Sequence, residues 1–269
     1  MMYSNVLLQD DIRQECLNLP VNRHIFHDDR NFTVKIADTT EEVDAALKLR
    51  FEVFNLELLE GLESSYKSLR DEDVYDTHCY HLIIIQKKTG NILGTYRVQT
   101  REMARKGMGF YSANEFQLNS LSRKILNNAV ELGRACIHKG FRNSIILFLL
   151  WKGIYKFMQL NTKQYLFGCC SIKSQDPVDG IRMLSMLRES GHLHKKYMVK
   201  ANSACACYFP AGYDCVKKDI ELPELMNVYF RYKAKICSYP AIDRDFKTID
   251  FLMLLNIKDV DEPVLNKFL

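Results

Sequence analysis

No C-x-x-C pair occurs in the 269 residues, and the nine cysteines fall at irregular spacings, several inside apolar segments. That distribution argues for free thiols in a reducing compartment, not for a disulfide framework. Cys205 and Cys207 stand too close together and too isolated for a closed zinc site. His78, Cys79 and His81 read as packing ahead of a strand, so no metal is expected. No run approaches the roughly 20 apolar residues of a membrane span; the longest candidate is residues 145–151. The first residues carry no basic region, and Asp10 and Asp11 follow a short apolar run, which is not the layout of a secretory leader. A cytoplasmic protein, soluble or peripheral on a membrane, is expected. A net charge of +4 is mild, and no RNP-like, helix-turn-helix or finger pattern occurs, so nucleic acid is not an expected partner. Internal repeats, low-complexity tracts and linkers are also missing, which favours a single domain over residues 1–269.

What the chain does have is an apolar share of 47%, enough for a sizeable core. Within residues 130–151, VELGRACIHKGFRNSIILFLLW, the pattern predicts a strand through Ile137, a tight loop over 139–143 and a helix opening near Ser144. The loop holds Gly140 and two cations, Lys139 and Arg142. A helix start with free N–H groups and the positive end of the dipole is an anion site. Glu131 and Arg134 sit inside the otherwise apolar strand, where charge is costly unless paired or used. Three residues apart, they face opposite sides of a regular strand; a one-residue bulge near Gly133 would bring them to one side.

A first strand is predicted over 32–37. Thr39 and Glu42 form a capping-box pattern, and Val43, Leu47, Phe51, Phe54 and Leu58 make one helical stripe. Arg50 lies on the edge of that stripe, the position of a snorkelling arginine. Residues 59–77 are irregular and charged, with Asp71, Glu72, Asp73 and Asp76, and read as a solvated loop. Two β-forming runs, 80–86 and 92–100, flank a hairpin turn at 88–91. Arg101, Arg105 and Lys106 form a basic patch that a solvated loop explains and that docking of an acidic carrier protein also explains. A short helix is expected within 110–128. A strand over 165–170 enters a polar loop at Ser171, and Pro177 opens a helix through Glu189. Residues 191–200 are basic and amphiphilic, readable as a surface helix end or as a contact for anionic lipid head groups. A helix over 222–239 and a buried strand over 251–255 complete the pattern.

The 130–151 stretch resembles the core of GNAT-fold N-acyltransferases. Within that superfamily it is most similar to the ornithine-lipid synthases and their hemolysin-like relatives, with acyl-homoserine-lactone synthases more distant. LRFEVFNLEL resembles an R-x-x-V-F helix, matched by Arg50, Val53 and Phe54. Asp73 and Asp76 match an acidic D-x-x-D pair, and GTYR, ending at Arg97, resembles a G-x-x-R-L segment. YLFGCCS resembles the strand after the cofactor helix. The tail with Asp243, Phe246, Thr248 and Asp250 resembles the ornithine-lipid type. The likeness covers about residues 32–256 and implies an α/β GNAT fold: a central mixed, twisted sheet flanked by helices, with a C-terminal extension.

It also implies a reaction: attack of an amino acid's α-amine, such as that of ornithine, on a long-chain acyl thioester. The donor would be acyl-carrier protein or acyl-CoA, with no cofactor bound permanently. Glu131 would be the general base, with Arg97 and Arg134 beside it. Arg50, Phe54, Asp73, Asp76 and Ser171 would serve the substrate. Cys136, His138, Lys139, Gly140, Arg142, Asn143 and Ser144 would hold the phosphopantetheine. No covalent intermediate is needed, so Cys136, Cys169 and Cys170 read as core thiols. Gly133 stands where homoserine-lactone synthases place a serine, and H-K-G-F-R-N replaces the Q/R-x-x-G-x-G/A loop of acetyl-CoA enzymes. A catalytically idle carrier- or lipid-binding module is the alternative from another class.

Overall fold

The computed structural model describes residues 25–208 and 220–269; residues 6–16, whose sequence allows a short helix, lie outside them. In chain order the strands are β1 (Ile25–Asp28), β2 (Phe32–Ile36), β3 (Tyr80–Gln86), β4 (Ile92–Thr100), β5 (Ala129–Ile137), β6 (Tyr165–Ile172), β7 (Lys235–Ile236), β8 (Ala241–Asp243) and β9 (Thr248–Asn256). The helices are α1 (Thr40–Phe51), α2 (Ser65–Ser68), α3 (Arg101–Lys106), α4 (Arg123–Asn127), α5 (Ser144–Leu160), α6 (Pro177–Glu189), α7 (Glu224–Arg231) and α8 (Glu262–Phe268). The described residues form two compact units. One comprises residues 25–109 with Leu132–Lys163 and Asn266–Leu269; the other comprises Phe110–Glu131 with residues 164–208 and 220–265.

In the first unit, β1 to β4 make an antiparallel meander. Its last hairpin turns where Gly90 adopts φ +76°, a conformation that suits glycine. Side chains alternate along β3. Ile83 packs with Ala46, Leu49 and Val53 of the α1 segment, whereas Leu82 faces Gly153 of α5. The two helices therefore cover opposite faces of the meander. Thr39 caps α1, its hydroxyl accepting from Glu42 N at 3.2 Å. The Glu42 carboxylate reaches past the cap to Asp38 N and Lys35 Nζ, which pins the end of β2 to the helix. Beyond Phe51 the helix widens into a π turn, Glu52–Glu57. The basic patch at Arg101, Arg105 and Lys106 is a helix, not a solvated loop, because Thr100 caps it through Met103 N.

In the second unit, Ala129, Val130 and Glu131 of β5 pair parallel with β6. β6 runs antiparallel to β9 along its whole length, and β7 and β8 add to β9. The result is a mixed sheet with α6 packed against β9. Strand β6 continues past Cys170, since Ser171 still pairs with Asp250. Helix α7 stops at Arg231 and does not run to residue 239: Lys233 at φ +68° turns the chain into β7. Residues 191–200 are not a helix end either. Gly191 at φ +70° leaves α6 behind, and Leu193 and Val199 form bridges to Ile236 and Ser238. No helix among the described residues is long and apolar enough to cross a membrane.

Gly153 marks the tightest approach of α5 to the meander. A Cβ there would lie 2.8 Å from Val34 Cγ1 and 2.9 Å from Leu82 Cδ1, both on fully buried residues. Gly153→Ala is expected to lower the unfolding free energy by roughly 1–3 kcal/mol despite alanine's better helix propensity. Urea denaturation reads this directly, and an unchanged or raised midpoint would contradict the packing described.

Candidate functional site

Three arginines and three aspartates of the first unit close into a ring. Arg50 comes from α1, Arg97 from β4 and Arg134 from β5; Asp71, Asp73 and Asp76 come from the segment between α2 and β3. Arg50 is fully buried. Its Nε donates to Asp71 Oδ2 at 2.7 Å, and its two terminal nitrogens donate to the two Asp76 oxygens at 2.7 and 3.1 Å. Arg97 Nη1 bridges Asp76 Oδ1 at 3.2 Å and Asp73 Oδ1 at 2.6 Å. Arg134 Nη2 meets Asp73 Oδ2 at 2.9 Å, and its Nε lies 3.3 Å from Asp71 Oδ2. Each carboxylate thus links two guanidiniums, and the six charges cancel. Burial pushes the Asp76 carboxyl up, but Arg50 and Arg97 outweigh it and hold it well below the usual carboxylate range. Burial, aided by the neighbouring guanidiniums and opposed by Asp76, keeps His81 neutral, its pKa down to about 4.

This geometry overturns the snorkelling reading of Arg50, which has no exposed surface to offer a solvent or a substrate. Asp73 and Asp76 lie where the arginines need them. Asp71, part of a run read only as solvated, is an equal member of the ring; its position two before Asp73 was the available signal. The irregularity expected near Gly133 falls at Arg134, which adopts φ +49°. A left-handed non-glycine residue costs on the order of 1–2 kcal/mol, and here the two aspartates hold it. Phe54 is half-buried against the Ala46, Leu49 and Val53 cluster.

The expected phosphate loop also belongs to the first unit. His138 N donates to Leu93 O at 2.8 Å, and His138 Nδ1 accepts from Gly140 N at 3.1 Å. Asn143 caps α5, its Oδ1 accepting from Ile145 N and Ile146 N at 3.0 Å each. Arg142 makes a two-pronged pair with Glu57 at 2.5 and 2.8 Å, on the surface. Lys139, Gly140 and Ser144 are exposed. Two of the first helical N–H groups are therefore already bonded to the cap. Lys139 and Arg142 place positive charge beside that helix start, and an exposed pair such as Arg142–Glu57 is worth at most about 1 kcal/mol. Cys136 is buried, and burial pushes its thiol up to about 12.

The second unit holds Glu131 within a different network. The turn Tyr111–Asn114 presents its first N–H groups to the Glu131 carboxylate, from Tyr111 N at 2.9 Å and Ser112 N at 2.8 Å. Ser112 Oγ donates to the same oxygen as its own N–H, at 2.7 Å. Phe110, packed edge-on to Phe167 at 4.9 Å, anchors the turn. Cys169 Sγ lies 3.5 Å from Ser112 Oγ and 3.9 Å from Glu115 Oε2. Glu115 is bonded to Asp250, which also bonds Thr248 and Ser171. Asp243 accepts from Tyr111 Oη at 3.4 Å. Burial, then Asp243, pushes Asp250 up to about 6; burial with Asp250 and Asp243 raises Glu115 well above its ordinary value. Ligand atoms of Glu115, Cys169 and Asp250 lie within 4.8 Å of one another, but the acids satisfy each other by sharing protons. Ser112 and Glu115 were not foreseen. A serine and a glutamate in an irregular stretch carry no periodic signal.

The ring makes a testable distinction. Asp71→Asn removes one buried charge from it and is expected to destabilise the fold by about 3–5 kcal/mol. Glu57→Gln, at the exposed Arg142 pair, is expected to change stability by less than about 1 kcal/mol. Parallel denaturant titrations decide; equal effects would mean the ring is not coupled.

Residues 49–152 match the family described as the acetyltransferase (GNAT) domain. The chain is 28% identical to an L-ornithine N(alpha)-acyltransferase of Brucella abortus (strain 2308) over 258 residues, covering 87% of this chain and 88% of the relative. It is 28% identical to an L-ornithine N(alpha)-acyltransferase of Rhizobium meliloti (strain 1021), covering 88% of this chain and 84% of the relative. Among solved structures it is similar to an N-acyl amino acid synthase from uncultured soil microbes, with TM-score 0.48 and 8% identity, covering 84% and 91% of the two chains. The chain carries a GNAT domain and is an acyltransferase.

Proposed function

We propose that the protein transfers a long-chain acyl group from the phosphopantetheine thioester of acyl-carrier protein to the α-amine of ornithine, giving a lyso-aminolipid. The amine nitrogen attacks the thioester carbon, the C–N bond forms and the C–S bond breaks. The amine's proton passes to Glu131 and from there to the departing sulfur, so that the pantetheine leaves as a thiol and the carboxylate is restored. Three donors from Tyr111 and Ser112 fix the Glu131 carboxylate, and a positioned base contributes roughly 10²–10⁴ in rate. Arg142 and Lys139 would take the donor's phosphate, with the α5 start behind them. Arg97 and Arg134, tied up in the ring, position β4 and β5, and Arg50 braces them. Asp73 and Asp76 are counter-charges in this reading, and Cys136, His138, Gly140, Asn143 and Ser144 shape the loop. Half-buried Phe54 would offer apolar surface to the acyl chain.

The observation that carries the choice of acceptor is the acidic network of Glu115, Asp243 and Asp250, linked to Glu131 through Ser112 and Tyr111. An acceptor with a second ammonium would find its counter-charge in this acidic wall; glycine or serine brings no cation to match it. Ser171, bonded to Asp250, orients that wall. The relatives' names point to the same acceptor.

Purified protein incubated with long-chain acyl-carrier protein and a panel of amino acids is expected to yield N-acyl-ornithine by mass spectrometry. Equal acylation of glycine or serine would refute the acceptor, and product from acyl-CoA alone would refute the donor. Glu131→Gln is expected to lower kcat by about 10²–10⁴ in protein that still melts cooperatively; a change under tenfold would remove Glu131 as base. Because Asp250 is protonated below its pKa of about 6, the KM for ornithine should rise roughly tenfold per pH unit below that value. Asp250→Asn should raise KM at neutral pH and flatten that dependence. A wild-type profile that is already flat would separate Asp250 from acceptor binding.

A further inference from the structure

A concave region of the second unit plays no part in the reaction proposed above. A cavity of about 770 Å³ is lined by Lys124, Lys195, Lys196, Lys233 and Lys235, with Asp259 as its one lining carboxylate. Lys124 precedes the end of α4, Lys195 and Lys196 lie on the segment after α6, and Lys233 and Lys235 flank the turn into β7. Local structure fixes this convergence. The bridges Leu193–Ile236 and Val199–Ser238 lay the 191–200 segment along β7. The Lys233 backbone adopts φ +68°, and His194 Nδ1 accepts from Lys196 N and Tyr197 N at 3.1 Å each.

The ammonium groups are unequal. Lys235 Nζ donates to Gly191 O at 2.7 Å, and Lys233 Nζ lies 3.5 Å from Asp261. Lys124, Lys195 and Lys196 are exposed and make no ion pair among the described residues. Five lysines offset by so few carboxylates repel one another, and an anion entering the cavity relieves that repulsion. The cavity is not wholly polar: buried Ile125 and Leu254 and half-buried Leu193 share its lining. Tyr197 adds a ring with a polar tip, over which Lys196 sits at 5.3 Å. Ammonium groups beside apolar surface and a tyrosine match the boundary layer of a bilayer, where phosphate meets the root of the acyl chains. A hollow of this size fits one head group. The convex acidic surface of a folded protein would touch only its mouth.

We propose that this lysine-lined cavity binds the phosphate head group of an anionic membrane lipid and seats the enzyme on the bilayer surface. The site stands whether or not the acyl transfer proposed above is correct, because its test does not read catalysis.

The full chain is sedimented with phosphatidylcholine vesicles, with and without phosphatidylglycerol. Co-sedimentation with the anionic vesicles alone, weakening with salt, is expected. Replacing Lys124, Lys195 and Lys196 by Glu should lower the partition coefficient at least roughly a hundred-fold, since each basic residue near an anionic surface contributes about fivefold. The same three changed to Gln should give a smaller loss, with thermal melts confirming that both variants fold. Glu at exposed Lys67, Lys88 and Lys267 instead should leave most of the binding intact. Equal loss in the two Glu sets would overturn the cavity as the site. Calorimetric binding of inorganic phosphate or glycerol phosphate without vesicle binding would overturn the lipid in favour of a free phosphate. Loss of acyl-carrier-protein binding in the Lys124, Lys195 and Lys196 set, with vesicle binding unchanged, would assign the surface to a protein partner and overturn the proposal.

Discussion

Three guanidiniums cannot be buried next to one another unless equal negative charge is delivered to the same few ångströms. In this protein Asp71, Asp73 and Asp76 make that delivery, and they are what the first unit is arranged to supply. The segment carrying them has little regular structure of its own; only the short α2 precedes it. Its course is set by where Arg50, Arg97 and Arg134 need their partners. Helix α1 supplies one arginine, β4 the second and β5 the third, so one electrostatic condition joins three elements distant in sequence. Such a closed set offers little net stability over an apolar core of the same shape, because each charge first loses its water. What it provides is intolerance of misplacement: shifting any one member leaves an uncompensated charge beside it. The left-handed backbone of Arg134 is sustained by that same intolerance.

The same chain holds carboxylates in opposite electrostatic conditions. Asp76 lies between two guanidiniums and stays ionised far into acid. Asp250 lies among other acids, bonded to Thr248, Ser171 and Glu115, and clings to its proton nearly to neutrality. One residue type therefore serves as permanent scaffold charge in one unit and as an adjustable charge in the other, and the difference comes entirely from surroundings.

Much of this was legible in the residues. The apolar periodicities gave α1, the β3–β4 hairpin, α5 and α6, because those elements bury one face or both and must repeat accordingly. Glu131 and Arg134 stood out as charge where charge is costly, whereas Arg97, Asp73 and Asp76 were marked by a family likeness alone. Failures came where tertiary contacts overrode local pattern. Residues 232–239 continue a helical rhythm, yet the chain turns out of it at Lys233 so that Lys235 and Ile236 pair with β9. Residues 101–106 looked like a charged loop until Thr100 capped them. Ser112 and Glu115 were invisible for another reason: their importance lies in hydrogen bonds to partners about 20 or more than 50 residues away, and neither spacing nor hydropathy encodes such pairs. Asp71 was hidden by its neighbours, since one acid in a run of acids carries no mark of burial.

An enzyme that handles activated acyl esters of sulfur must not become an acceptor itself, for any ionised cysteine near the donor would capture the acyl group. Here the depth of Cys136, Cys169 and Cys170, with acids crowding the last two, keeps all three sulfurs protonated at neutral pH. The apolar and acidic interior thus acts as chemical insulation, leaving an incoming nitrogen without a competing nucleophile among them.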